Sequence, residues 1–442
     1  METITKNNIK KYSTYKNSGV EWLGEIPEHW DLGRLGSILN PVSSKNHPNK
    51  ILLSITREKG VIVRDIENED TNHNFIPDDL TGYKLLKKGQ FGMNKMKAWQ
   101  GSYGVSDYTG IVSPAYYTFE FTKDIEPKFF HIAIRSKLYV SFFGKASDGV
   151  RIGQWDLSKD RMKRIPLAIP PLSEQTKIAE FLDDKTKKID EAIAIKTQQI
   201  NLLKERKQIL IHKAVTRGLD TNVKLKNSGV EWIGEIPVHW EVKKLKDLCK
   251  AFGRIGFRGY TISDLVNKGN GAITISPSNI KEEFMTFEKC SYLSWNKYKE
   301  SPEIQIFNGN ILIVKTGSTF GKIGLVKDLP QKATINPQLL VLKEIKINPY
   351  YFYSVLKTSM IQIQIQQQVI GSTIPTISET KILNFKIVLP PYDEIEKTVV
   401  YLEDINTKFK KFINLKQQEI EKLKEYKSSL INSVVTGKVR VC

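Results

Sequence analysis

The chain has 442 residues, 40% of them hydrophobic and 26% charged, the balance of a soluble globular protein of two or three domains. No apolar run approaches the ~20 residues of a membrane helix, and the first residues lack the apolar core of a signal peptide. The net charge of +19, from 67 Lys and Arg against 48 Asp and Glu, points either to a polyanion partner or to lysines written on every solvated face; composition leaves the two close. Three widely spaced cysteines, Cys249, Cys290 and Cys442, argue against a disulfide framework, and the six histidines show no zinc spacing, so a cytoplasmic protein without a metal site is expected.

In chain order, the first feature is "KNSGVEWLGEIPEHW", Lys16 to Trp30, which returns as "KNSGVEWIGEIPVHW", Lys226 to Trp240, with thirteen of fifteen positions identical. A period this long marks a duplicated domain rather than a solenoid. The four tryptophans, Trp22, Trp30, Trp232 and Trp240, could stack on bases, but they lie in the text that repeats. Core packing suits them better, and the repeated block reads as a joint between domain and helix.

Each block leads into a variable segment, about Asp31–Ala168 and Glu241–Val388. Short β-prone runs such as "ILLSI", "GAITI" and "NILIV" alternate there with Gly, Pro and Asn turns, which reads as α/β or α+β. A helix is predicted near the end of each, over "IEPKFFHIAI" from Ile125 and "INPYYFYSVL" from Ile347. A Pro-Pro pair (Pro170 and Pro171, Pro390 and Pro391) then ends the preceding element and opens a long helix. From Glu174 to Thr216, a constant offset of 220 aligns the two helices without a gap, with seventeen of 43 positions identical, among them Leu182/Leu402, Ile200/Ile420 and Val215/Val435. Leu402, Phe409, Leu423 and Leu430 share one seven-residue register, and Val399, Ile413, Ile420 and Val434 share another, which is a coiled-coil seam. Gly218 and Gly437 stand where each helix should stop. At ~40 residues, or ~60 Å, such a helix needs a partner for its stripe, and the other copy is the simplest one. Antiparallel pairing would make a pseudo-two-fold molecule, a rigid rod with a globular domain at either end.

These blocks carry a resemblance over nearly the whole chain. "SGVEWLGEIPEHW" and "SGVEWIGEIPVHW", "IPPLSEQTKIAEFLD" from Ile169 and "GSTIPTISETKILNFKIVLPPYDE" from Gly371 occur in the order found in the specificity subunit of type I restriction–modification systems, which this chain resembles. The resemblance implies a first target-recognition domain over 1–170, a central spacer helix over 171–218, a second recognition domain over 219–390 and a distal spacer helix over 391–442. It implies a non-catalytic subunit that reads a bipartite site in double-stranded DNA, one half per domain. Two modification subunits would carry S-adenosylmethionine and methylate adenine, and restriction subunits would use ATP and Mg to cleave. No cofactor is expected in this chain. Two departures stand out. "SEQ" at Ser173–Gln175 becomes "DEI" at Asp393–Ile395, and "GVRIGQWDL" from Gly149, with Arg151 and Gln154, stands where the second domain has "GSTIPTI", with Ser372 and Thr373.

Candidate DNA contacts follow from loop chemistry. "KTGSTFGKIG" offers Lys315, Thr316, Ser318, Thr319 and Lys322 among glycines that expose backbone N–H groups; it lacks phosphate-loop spacing, and the resemblance places DNA contacts in this loop. "FGRIGFRGYT" offers Arg254, Arg258 and Tyr260, since Arg pairs bidentately with guanine. In the first domain "MNKMKAWQGSYG" offers Lys95, Lys97, Gln100 and Tyr103, for which a solvated basic turn is an equal reading. "INPYY" invites comparison with a methyltransferase catalytic loop but has one Pro, and Asn348 as a helix cap with Pro349 in the first turn accounts for it. Two alternatives remain: a fused methyltransferase–specificity chain, which has no cofactor motif behind it, and a coiled-coil scaffold with two protein-binding heads.

Overall fold

The structure is a computed structural model that describes residues 10–66, 76–149, 155–254, 259–281, 285–368 and 375–441. It divides into two units, one formed by Met1–Thr197 with Gln417–Cys442 and the other by Gln198–Lys416. The chain passes from the first unit to the second inside one long helix and returns inside the other.

In the first unit the hairpin Tyr15–Asn17/Glu25–Pro27 is followed by strand Asp31–Arg34 and the short helix α1 (Leu35–Ile38). A four-stranded antiparallel sheet has the order Leu39–Val42, Tyr117–Phe121, Phe91–Met93, Tyr103–Val105. Helices α2 (Pro127–Ile134), α3 (Lys137–Lys145) and α4 (Lys159–Lys163) follow. Strand Pro166–Ile169 then pairs with Asp31–Arg34, so Ile169 faces Asp31 and the two ends of the variable segment are stitched together. Helix α5 (Leu172–Arg217) begins directly after Pro170 and Pro171.

The second unit repeats this frame. Hairpin Leu225–Asn227/Glu235–Pro237 and the pair Glu241–Lys244/Lys386–Leu389 enclose the second variable segment, with Glu241 opposite Leu389. Its sheet runs Lys250–Gly253, Leu339–Lys343, Ile311–Val314, Ile323–Leu325, the strand order of the first unit. A further five-stranded sheet and helix α6 (Trp295–Lys299) are added. Helices α7 (Pro349–Leu356), α8 (Ser359–Gln366) and α9 (Glu379–Leu383) precede α10 (Tyr392–Val435). The named strand pairs are antiparallel except one, Gly271–Ile275 with Ala333–Ile335. The two variable segments are therefore α+β. Asn348 is the cap of α7, its Oδ1 accepting from the N–H groups of Tyr350 and Tyr351 at 3.0 and 3.3 Å.

The helices pair antiparallel. Asp190 meets Lys427 at 2.7 Å and Lys196 meets Glu419 at 2.6 Å, so one number rises as the other falls. Ile178 and Leu182 share the first unit's core with Val434 and Val435, and Ala214 and Val215 share the second's with Ile395, Val399 and Leu402. Of the two predicted registers, Val399, Leu402, Ile420 and Val434 are buried, while Phe409, Ile413, Leu423 and Leu430 are half-buried. Gly218 and Gly437 have φ of +79° and +74°, the left-handed turn that ends a helix and suits glycine.

The repeated block is a clamp on the helix ends. Trp30 is fully buried; its Nε1–H donates to Glu174 Oε2 at 3.0 Å, while His29 Nε2 lies 2.6 Å from Glu174 Oε1. A Cβ placed on Gly437 would meet Trp30 at 3.2 Å, so the same indole touches the start of α5 and the stop of α10. Trp240, His239, Glu394 and Gly218 repeat the set in the second unit, at 2.9, 2.6 and 3.1 Å. The change from "SEQ" to "DEI" keeps the clamped glutamate and alters the next position. Buried Gln175 accepts from the N–H of Glu126, the α2 cap, at 2.9 Å and donates to Pro170 O at 2.8 Å, whereas Ile395 is plain core.

Candidate nucleic-acid interface

In each domain the hairpin between the third and fourth strands of the four-stranded sheet ends in a tip, and the two tips together carry half of the candidate residues. The register fixes the equivalences. Tyr117 faces Met93 and Leu339 faces Val314, so Asn94 and Lys315 occupy the same position where the strand leaves the sheet.

In the second domain the tip is tied down at its base. Lys315 N–H donates to Gln338 O at 2.8 Å, Ile377 N–H donates to Lys315 O at 3.0 Å, and the hydroxyls of Thr316 and Thr376 are 3.0 Å apart. Gly317 and Gly321 turn with φ of +102° and +77°, and Ser318 and Thr319 between them are exposed. Lys322 is half-buried where the chain re-enters the sheet. Gly253 ends the neighbouring strand, and a Cβ there would meet Glu379 Oε1 at 2.7 Å and Lys315 Nζ at 3.1 Å. The glycine thus leaves room for an acid and a lysine side by side at the sheet's end.

Arg254 is not a base reader. It is 6% exposed, donates to Ile335 O at 3.3 Å and to Thr334 Oγ1 at 3.2 Å, and lies 5.1 Å from the centre of the Tyr260 ring. A buried guanidinium bonded to a backbone carbonyl and a threonine hydroxyl is placed to fasten the loop to the five-stranded sheet. Tyr260, half-buried, is the platform above it.

In the first domain the tip is a 3-10 helix, Lys95–Gln100, capped by Asn94, whose Oδ1 accepts from Met96 N–H at 3.2 Å, and closed by Gly101 at φ +91°. Lys97 is exposed, Gln100 half-buried, and Lys95 is paired with Asp156 at 3.0 Å. Tyr103 is a second correction. It opens strand Tyr103–Val105, is 0% exposed and packs 4.3 Å from the ring of Phe143. "MNKMKAWQGSYG" is not one turn: its end is a strand, and the pleat sends the tyrosine inward. Arg151, Gln154, Arg258, Ser372 and Thr373 lie outside the described residues.

Three groups at this sheet end were not singled out from the sequence: Lys84, Lys159 and Glu379. Ser158 caps α4 and Ser378 caps α9, so Lys159 and Glu379 are equivalent first residues of those helices. The offset of 220 that aligns the long helices also joins Ser158 to Ser378, and carrying it upstream would have found this pair. Among the described residues no group of three His, Cys, Asp or Glu side chains could hold a metal ion, and no helix is long and apolar enough to cross a membrane.

Comparison with known proteins agrees with the duplicated frame. A putative type I restriction enzyme MjaX specificity subunit of Methanocaldococcus jannaschii is 26% identical over 436 residues, 95% of this chain and 96% of the relative. The MjaVIII specificity subunit of the same organism is 27% identical over 310 residues, 69% of each chain. Among solved structures, a chain from a study of complex assembly and conformational transition in a type I R-M system matches 93% of this chain and 98% of its own length, with a TM-score of 0.68 and 16% identity. The HsdS subunit from Thermoanaerobacter tengcongensis matches 94% and 98%, with a TM-score of 0.50 and 15% identity. The family model for the type I restriction modification DNA specificity domain matches twice, over residues 27–205 and 237–425, and the chain belongs to that family, with two copies of its domain.

Proposed function

We propose that this chain is the subunit that reads a bipartite site in double-stranded DNA, one half-site per recognition domain, and that it directs the chemistry of partner subunits without performing any itself. The observation that carries this reading is the contrast between frame and tip. The clamp on the helices is the same in both units to within 0.1 Å at the Trp–Glu bond, 3.0 against 2.9 Å. The equivalent sheet ends differ in every polar group named: Asn94 against Lys315, and Lys159 against Glu379. A shared frame with two different tips suits two different half-sites.

We take the recognition modules as 1–170 and 219–390, with the helices 171–218 and 391–442 between and after them. Contacts to DNA are assigned to Lys95, Lys97, Gln100, Lys315, Thr316, Ser318, Thr319 and Lys322, with Arg151, Gln154, Arg258, Ser372 and Thr373 as further candidates. Lysines and hydroxyls on such turns suit backbone oxygens and base edges. S-adenosylmethionine, ATP and Mg are assigned to modification and restriction subunits, two modification subunits being expected, and the complex to the cytoplasm. Sequencing methylated adenines in host DNA with and without this gene tests the reading. Loss of one bipartite motif supports it; an unchanged methylome beside intact partner genes overturns it. Methyl transfer by the isolated chain would favour a fused enzyme instead.

A further inference from the structure

At the sheet end of the first domain, strands Leu39–Val42 and Tyr117–Phe121 open a cavity of about 180 Å³ lined by Pro41, Val42, Ser43, Lys84, Tyr117 and Lys159 among others. Tyr117 is paired with Met93, the last strand residue before the hairpin tip, so the cavity and the tip share one end of the sheet. Lys159 Nζ stands 4.3 Å from the centre of the Tyr117 ring, and Lys84 Nζ donates to Tyr116 O at 2.6 Å. Among the described residues neither ammonium has an ion pair, whereas the nearby Lys95 is neutralised by Asp156 at 3.0 Å. Burial draws the Lys84 pKa below the ordinary lysine value, and repulsion from Lys159, Lys45 and Lys95 adds to it. Two uncompensated cations in a concave wall attract an anion. The volume is below the ~300–1,000 Å³ of pockets for drug-sized molecules, which suits one phosphate group rather than a whole nucleotide.

In the second domain an acid takes the place of one of these cations and stands beside Lys315. Glu379 stands where the first has Lys159, with Oε1 2.7 Å from where a Gly253 Cβ would be. A carboxylate there repels phosphate, and accepts from an exocyclic amino group such as cytosine N4 instead.

We propose that Lys84 and Lys159 of the first domain seat one phosphate of the DNA backbone beside the hairpin tip, and that the second domain has no such seat. This rests on the DNA-recognition reading. The test uses the full chain and a duplex enriched from a random pool by the wild-type protein, with affinity measured across a salt series. K159Q is the primary variant, since among the described residues its ammonium makes no hydrogen bond; K84Q is the second. Each is expected to lower affinity on all duplexes alike, to reduce the slope of log affinity against log salt by about 0.9, and to leave the enriched sequence unchanged. K159R should restore the slope. A K159Q protein that melts like wild type and keeps the wild-type slope overturns the seat. So does a changed base preference in one half-site, which would make Lys159 a base reader. A wild-type chain with no salt-dependent duplex binding overturns the DNA reading itself, and the seat with it.

Discussion

The indole N–H of Trp30 donates to Glu174 Oε2 at 3.0 Å across 144 residues of sequence, and this bond sets a recognition domain on its helix. Tyr12 donates to the same oxygen at 3.1 Å. Burial alone would raise the Glu174 pKa, but the bonds from His29, Trp30 and Tyr12 outweigh it and hold the carboxyl below its usual range.

Replacing Glu174 by Ala strands these donors in the joint and should cost about 1–3 kcal/mol, read as a lower melting temperature of the first unit. Because the folded-state pKa is depressed, the carboxylate's contribution is present above the unfolded value and is lost as pH falls through the folded one. E174Q should therefore flatten the acid limb of the stability curve. An acid limb unchanged in E174Q would contradict this account. E394A should likewise lower the melting temperature of the second unit, since Trp240 and His239 lose their partner there.

The two helix-stop glycines should differ in their tolerance. Both have positive φ, which costs a side chain ~1–2 kcal/mol. A Cβ on Gly437 would fall 2.2 Å from Pro27 Cδ, while one on Gly218 meets nothing nearer than Trp240 at 3.1 Å. G437A should lose about 2–5 kcal/mol in all, with an overpacking cost of ~1–3 added to the backbone cost, and G218A only the backbone part of that. Equal melting temperatures for the two variants would contradict the assigned contacts.

His131 makes the first domain acid-sensitive. Burial, then the charge of Arg135, lower its pKa to about 4, while its Nδ1 accepts from Val105 N–H at 3.2 Å. As pH falls from ~6.5, the ordinary histidine value, the unfolded chain takes up the proton first, so stability drops until about pH 4. The total loss is roughly 3 kcal/mol at 1.36 kcal/mol per unit. Chemical denaturation at pH 7 and pH 4.5 should show this drop in wild type and little of it in H131Q.

Lys315 and Arg254, both drawn from basic loops, should separate cleanly. K315A should relax the second half-site by up to ~1–3 kcal/mol and leave the first untouched. R254A should weaken binding to every sequence alike and lower the melting temperature, since it removes buried bonds to Ile335 O and Thr334 Oγ1. A change in base preference with R254A, at wild-type stability, would return Arg254 to the interface.

The duplication, the joint, the helix stops and the coiled-coil seam were legible in the sequence. Each rests on local rules: helical periodicity, Pro before a helix, Gly after it, and repetition that needs no geometry. That the domains mix strands and helices was legible for the same reason, because short β-prone runs such as 271–275 form strands wherever they lie, while the choice of α+β over α/β came only with the antiparallel pairing. The sequence could not say which polar groups reach the surface together. Tyr103 and Arg254 sit in basic, glycine-rich text, yet one is turned inward by the strand's pleat and the other is held by a backbone carbonyl and a threonine hydroxyl about eighty residues away. Lys84 and Lys159 are seventy-five residues apart and look like solvated lysines until strand pairing brings them to one cavity. Local patterning decides which elements form; only the packing of distant strands decides which side chains share a surface, because burial and charge depend on neighbours that sequence order does not specify.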